Sequence, residues 1–156
     1  MEVRGVWRGG FETRLEDGRG HGVIVDLPTD EGGRNLGTSP LELAVISLAG
    51  CIGTIFGLIA EKRKLSFDGL TVSLKAERPE SAPTIEKVHG TVEVQTSAPR
   101  EAVETVLHLT LKTCPVGILF ERAHVPLEVS ATIVPPSPAK EGESPEYEIP
   151  EPEWAL

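Results

Sequence analysis

Apolar and polar residues alternate along three stretches of this chain, and in each the period is that of a strand. Leu70, Val72, Leu74 and Ala76 share one face of a segment reaching Glu77, and Val88, Val92 and Val94 share one face of Lys87–Thr96. The two predict a hairpin turning around Pro79 to Pro83. Leu127, Val129, Ala131 and Ile133 mark a last strand over Pro126–Val134. Near the start, Val3–Trp7, Phe11–Leu15 and Gly22–Leu27 read as three short strands, separated by the turn signals Asp17-Gly18 and Gly20.

Between these strands the period changes. Ser39 is a good helix cap, Pro40 suits the first helical position, and Glu42 closes a capping box. The helix they predict runs to about Lys64. It is apolar nearly all round from Leu43 to Ala60, so it should be buried on most sides. That uncharged run of 18 residues reaches the length of a marginal membrane span. Ser47, Thr54, three glycines and the strand-like flanks favour a core helix instead. A second helix starts near Pro99, with Ala102, Val103, Val106, Leu107 and Leu111 at helical spacing, and Cys114-Pro115 breaks it into a short third helix reaching about Ala123. The order βββ-α-ββ-α-α-β segregates strands from helices, which is the α+β class. A central helix this apolar needs more cover than one thin sheet gives, and a dimer would supply it.

Composition narrows the possibilities. A chain of 156 residues suits one domain with a real core. That domain covers residues 1–134; from Pro135 the sequence turns rich in Pro and Glu, and residues 135–156 read as an extended or disordered tail whose Tyr147, Ile149 and Trp154 could dock in a groove. A net charge of −9 argues against nucleic acid as a partner. No basic segment followed by an apolar one opens the chain, which reads as a cytoplasmic protein without a signal peptide or membrane span. The four histidines show no metal-ligand spacing, and there is no P-loop or dinucleotide fingerprint, so neither metal nor organic cofactor is expected.

The candidate chemistry lies in two cysteines. Cys51 falls inside the apolar helix, a setting that buries a sulfur. Cys114 precedes Pro115 at a helix start, where unpaired N–H groups favour a thiolate. Such a pair could perform redox chemistry, one thiol attacking an oxidant and the other closing a disulfide, or the two could simply pack.

Ser39-Pro40-Leu41-Glu42-Leu43, then Leu48-Ala49-Gly50-Cys51, and later Lys112-Thr113-Cys114-Pro115-Val116 resemble the OsmC/Ohr family. The likeness extends over Val3–Val134 and takes in Trp7, Phe11, Gly32-Gly33-Arg34 and Lys87-Val88-His89. It implies an intertwined homodimer that reduces organic hydroperoxides, with active sites at the subunit interface and recycling by a dithiol reductant. It also implies Cys51 as the peroxidatic nucleophile, Cys114 as the resolving thiol, and an arginine and a glutamate near the reactive sulfur. Arg14 is the favoured arginine, with Arg8 and Arg19 as rivals. Glu42 is the glutamate at hand, yet family members that reduce hydroperoxides often carry theirs one residue earlier, where this chain has Leu41. Glu42 precedes Cys51 by nine residues, half a turn out of phase, so its carboxylate is expected to face away and cap the helix. The alternative to a peroxidase is a non-catalytic dimer of this fold that binds a small apolar or acidic ligand.

Overall fold

The computed structural model describes residues 1–136. Of the expected tail only Pro135 and Pro136 fall within them; the rest lies outside the described residues.

Six strands and three α-helices follow in the order β1 (Arg4–Gly9), β2 (Glu12–Glu16), β3 (Gly22–Val25), α1 (Pro40–Arg63), β4 (Gly69–Glu77), β5 (Lys87–Gln95), α2 (Arg100–Thr113), α3 (Pro115–Arg122) and β6 (Leu127–Val134), with a 3-10 turn at Thr29–Glu31. The strands form two separate three-stranded sheets, β1-β2-β3 and β4-β5-β6. The first is an antiparallel meander, bulged between Trp7 and Gly9. In the second, β4 and β5 are the expected hairpin, while β6 lies parallel to β5, pairing Val88 with Leu127 and Gln95 with Val134. A parallel neighbour needs a long crossover, and α2 and α3 provide it. The architecture is α+β.

The core sits between the second sheet and the helices. Leu48, Ile52, Phe56 and Ala60, one helical turn apart, are completely buried and face Val88, Val92, Val94, Val103 and Val106. Phe56 meets the edge of Phe67, with ring centroids 5.7 Å apart. Gly90 permits this sheet to close, because a Cβ there would overlap the Ser73 carbonyl.

One expectation needs correcting. Helix α1 is not buried on most sides. The layer of β4–β6, α2 and α3 covers one stripe only, leaving Ile46 54% and Leu58 48% exposed, and the positions of Gly50 and Gly57 open outward. By length and composition α1 could cross a bilayer; here it is the central helix of the α+β layer.

The first sheet hangs from this body on residues 26–39. Asp26 fastens that segment: its buried carboxylate accepts from the N–H groups of Arg34 (3.0 Å) and Leu36 (3.2 Å), bonds that hold it below the usual carboxylate range although burial opposes them. Gly33 lies so close to Leu27 that any side chain there would collide with its carbonyl.

Candidate functional site

Helix α1 carries Cys51 three turns in, beside the buried Leu48–Ile52 stripe, and the thiol is half-buried. Cys114 owes its position to the residue that follows. Pro115 lacks an N–H and pushes the preceding residue out of the helical region, so Cys114 is extended (φ −63°, ψ 112°) and the chain bends by 62° between α2 and α3. Cys114 thereby closes one helix and opens the next. Its N–H donates to the Thr110 carbonyl at 2.8 Å, and its Sγ accepts from the Gly117 N–H at 3.3 Å. Both α2 and α3 pack on α1, and this brings the Cys114 Sγ to 2.9 Å from the Cys51 Sγ.

The environment of the pair differs from the sequence reading in one respect. Cys114, not Cys51, is the fully buried sulfur. Burial pushes its thiol up to about 11 and the contact with Cys51 adds to the rise, against smaller lowering by the N–H groups of Gly117 and Val116. Loss of water outweighs the helix N-terminus, so Cys114 holds its proton at neutral pH. Both cysteines are free thiols.

The other expected site residues lie elsewhere. The Glu42 carboxylate accepts from the Ser39 N–H at 2.7 Å and from the Thr38 hydroxyl at 3.2 Å, while the Ser39 hydroxyl accepts from the Glu42 N–H. This capping box keeps the Glu42 carboxyl below its ordinary range, chiefly through the Ser39 N–H. Arg14 is on β2, where cross-strand register puts it in line with Val6 and Ile24. The opposite face carries Gly5, Leu15 and Val23, and that is the side bordered by Leu43 of α1. Arg14 pairs with Glu12 at 3.0 Å, and Arg19 with Asp17 at 2.7 Å, while Arg8 projects from β1. The hydrogen bonds of the two sulfurs go to each other and to Gly117, not to any of these arginines.

Sequence reasoning missed a carboxylate. Glu12 is buried, only 5% exposed, and lies between two guanidiniums, those of Arg14 and Arg34. It ties the first sheet to the loop that leads into α1. The exposed Gly32-Gly33-Arg34 loop contained the signal, since Gly33 is forced by close backbone approach and sets Arg34 beside Glu12. Among the described residues no three His, Cys, Asp or Glu side chains gather as metal ligands.

Comparison with known proteins places this geometry. The family model described as OsmC-like protein matches residues 32–130, a span containing both cysteines. No curated protein matches the chain. Among solved structures, an OsmC-like protein from Mycoplasma pneumoniae superposes with a TM-score of 0.76 at 14% identity, covering 85% of this chain and 96% of the other. The organic hydroperoxide resistance protein OsmC from Legionella pneumophila gives 0.66 at 18% identity, covering 84% and 95%. An organic hydroperoxide resistance protein from Vibrio cholerae, solved with captopril in one of its active sites, gives 0.64 at 15% identity, covering 84% and 91%. At these identities the structural likeness speaks to the fold, and the family match is what assigns membership: the chain belongs to the OsmC-like protein family.

Proposed function

We propose that the protein is a cysteine-based peroxidase that reduces organic hydroperoxides. The observation that carries this reading is the 2.9 Å separation of the Cys51 and Cys114 sulfurs, which need little movement to bond. Cys51, the more accessible thiol, is the nucleophile. Its thiolate attacks the outer oxygen of the hydroperoxide; the O–O bond breaks, the alkoxide leaves and takes a proton from water to become the alcohol, and Cys51 becomes a sulfenic acid. Cys114 then attacks that sulfur, expelling water and closing the disulfide. A dithiol reductant restores both thiols by exchange. Buried Cys114 keeps its proton until Cys51 has been oxidised, so it does not compete for the oxidant.

A thiolate in apolar surroundings needs a cation. The Arg14–Glu12–Arg34 unit is the proposed source, with its guanidiniums preset by a shared carboxylate. A second copy packed on the uncovered face of α1, around Ile46 and Leu58, completes the proposed homodimer and encloses the half-exposed Cys51. In this reading Glu42 shapes the start of α1 and takes no part in proton transfer. The reducing cytoplasm is the compartment that fits a dithiol-recycled enzyme.

The reading as a binding protein draws on a cavity of about 420 Å³ beside the first turns of α1, lined by Leu41, Val45, Ile85 and Arg78 together with Glu31 and Glu42. Steady-state consumption of cumene hydroperoxide with a dithiol donor separates the two. The peroxidase reading requires turnover that Cys51→Ser abolishes. No turnover with any dithiol, together with a co-purifying small molecule in native mass spectrometry, supports the binding protein.

A further inference from the structure

The first sheet presents an arginine-rich face that the proposed chemistry leaves largely unused. Arg4, Val6 and Arg8 alternate along β1, with Arg14 and Ile24 in register across β2 and β3. They surround a shallow cavity of about 260 Å³, with His21 and Glu16 at its rim. Arg4 is paired only with exposed Glu16, at 3.3 Å, and Arg8 makes no ion pair among the described residues. The other face of the sheet, with Trp7, Leu15 and Val23, is the apolar one.

On this face Glu16 and Glu12 offset Arg4 and Arg14, and Arg8 is the guanidinium left without an ion pair among the described residues, in a chain of net charge −9. Much of that negative charge is concentrated in one place: residues 137–156 carry six glutamates (Glu141, Glu143, Glu146, Glu148, Glu151, Glu153) against one lysine, Lys140. The same segment holds Tyr147, Ile149, Trp154 and Leu156, which match Val6 and Ile24 on the cavity floor. Reach is no obstacle. From the end of β6 this length of chain spans up to about 66 Å, well beyond the radius of gyration of about 14 Å for a domain of this size.

We propose that the acidic C-terminal segment docks on the Arg4–Arg8 face of the first sheet, its glutamates paired with these guanidiniums and its aromatic residues on the Val6–Ile24 floor.

The test uses the full chain with Trp7→Phe, which leaves Trp154 as the only tryptophan. Quenching of its fluorescence by neutral acrylamide reports its cover. The expected result is protection at low ionic strength and a severalfold rise in quenching near 1 M salt, where the screening length falls to about 3 Å. Arg4→Glu with Arg8→Glu should release Trp154 at low salt. Glu146→Lys with Glu148→Lys and Glu151→Lys should do the same without touching the folded domain, and combining both sets should restore protection. Trp154 quenched as freely as a tryptophan amide at every salt concentration would overturn the proposal. So would protection that survives either charge reversal made alone.

Discussion

The Sγ atoms of Cys51 and Cys114 stand 2.9 Å apart although 63 residues separate them in the chain. Two independent features create this closeness. One is the packing of α2 and α3 on α1; the other is the Pro115 bend that turns Cys114 inward at the joint. Since Cys114 is buried and Cys51 is not, the two thiols should react in order. Brief treatment of the reduced protein with iodoacetamide at pH 8 is expected to label Cys51 first, as peptide mapping would reveal; equal labelling would mean that Cys114 is open to solvent.

Burial of Cys114 has a consequence for stability at alkaline pH. Its pKa is raised in the folded state, to about 11 from an ordinary 9.0. The folded protein therefore holds this proton when the unfolded chain has lost it. Stability is fully present below pH 9 and is lost as pH climbs toward 11, by up to about 1.4 kcal/mol per unit. Urea unfolding of the reduced protein across this range should show the decline, and Cys114→Ser should lack that component. Identical slopes in the two proteins would contradict the assigned burial.

Glu42 can be tested as a cap. Ser39→Ala and Glu42→Ala each remove part of one capping box and should each lower stability by about 1 kcal/mol. Cap stability also depends on pH, because the Glu42 pKa is lowered in the fold: its contribution is present above the unfolded carboxyl range and fades as acid protonates it. Hydroperoxide turnover of both variants at a temperature where they remain folded should stay close to the parent's. A loss of turnover in Glu42→Ala that Ser39→Ala does not share would instead make Glu42 part of the chemistry.

The largest fully buried side chain among the described residues is Phe56, on α1 and set edge-on to Phe67. Phe56→Ala should cost about 3–5 kcal/mol, measured by denaturant titration. A cost below about 1 kcal/mol would show that the α1 stripe is not the centre of the fold.

Local signals in the sequence carried much of this structure. Ser39, Pro40 and Glu42 set the start of α1, and the basic run ending at Lys64 set its end, because caps and dipole partners act within one turn. Alternation located β4, β5 and β6, since one face of each is covered by helices. The parallel pairing of β5 with β6 and the division into two sheets were not legible; they depend on how the crossover packs. Nor was the burial of Cys114. Its helix-start position is local and argues for a thiolate, whereas its loss of water comes from α1, far away in sequence. Glu12 escaped notice for the same reason: an acidic residue in a strand looks solvated until the loop at Arg34 closes over it. The apolarity of α1 predicts burial on most sides, whereas within one chain only one stripe of it is covered.

The most direct test of the two-thiol chemistry is a thiol count on the reduced protein before and after one equivalent of cumene hydroperoxide, followed by peptide mapping. The account predicts that both thiols disappear together into a Cys51–Cys114 disulfide. Two intact thiols, or an oxidised Cys51 that never bonds to Cys114, would contradict it.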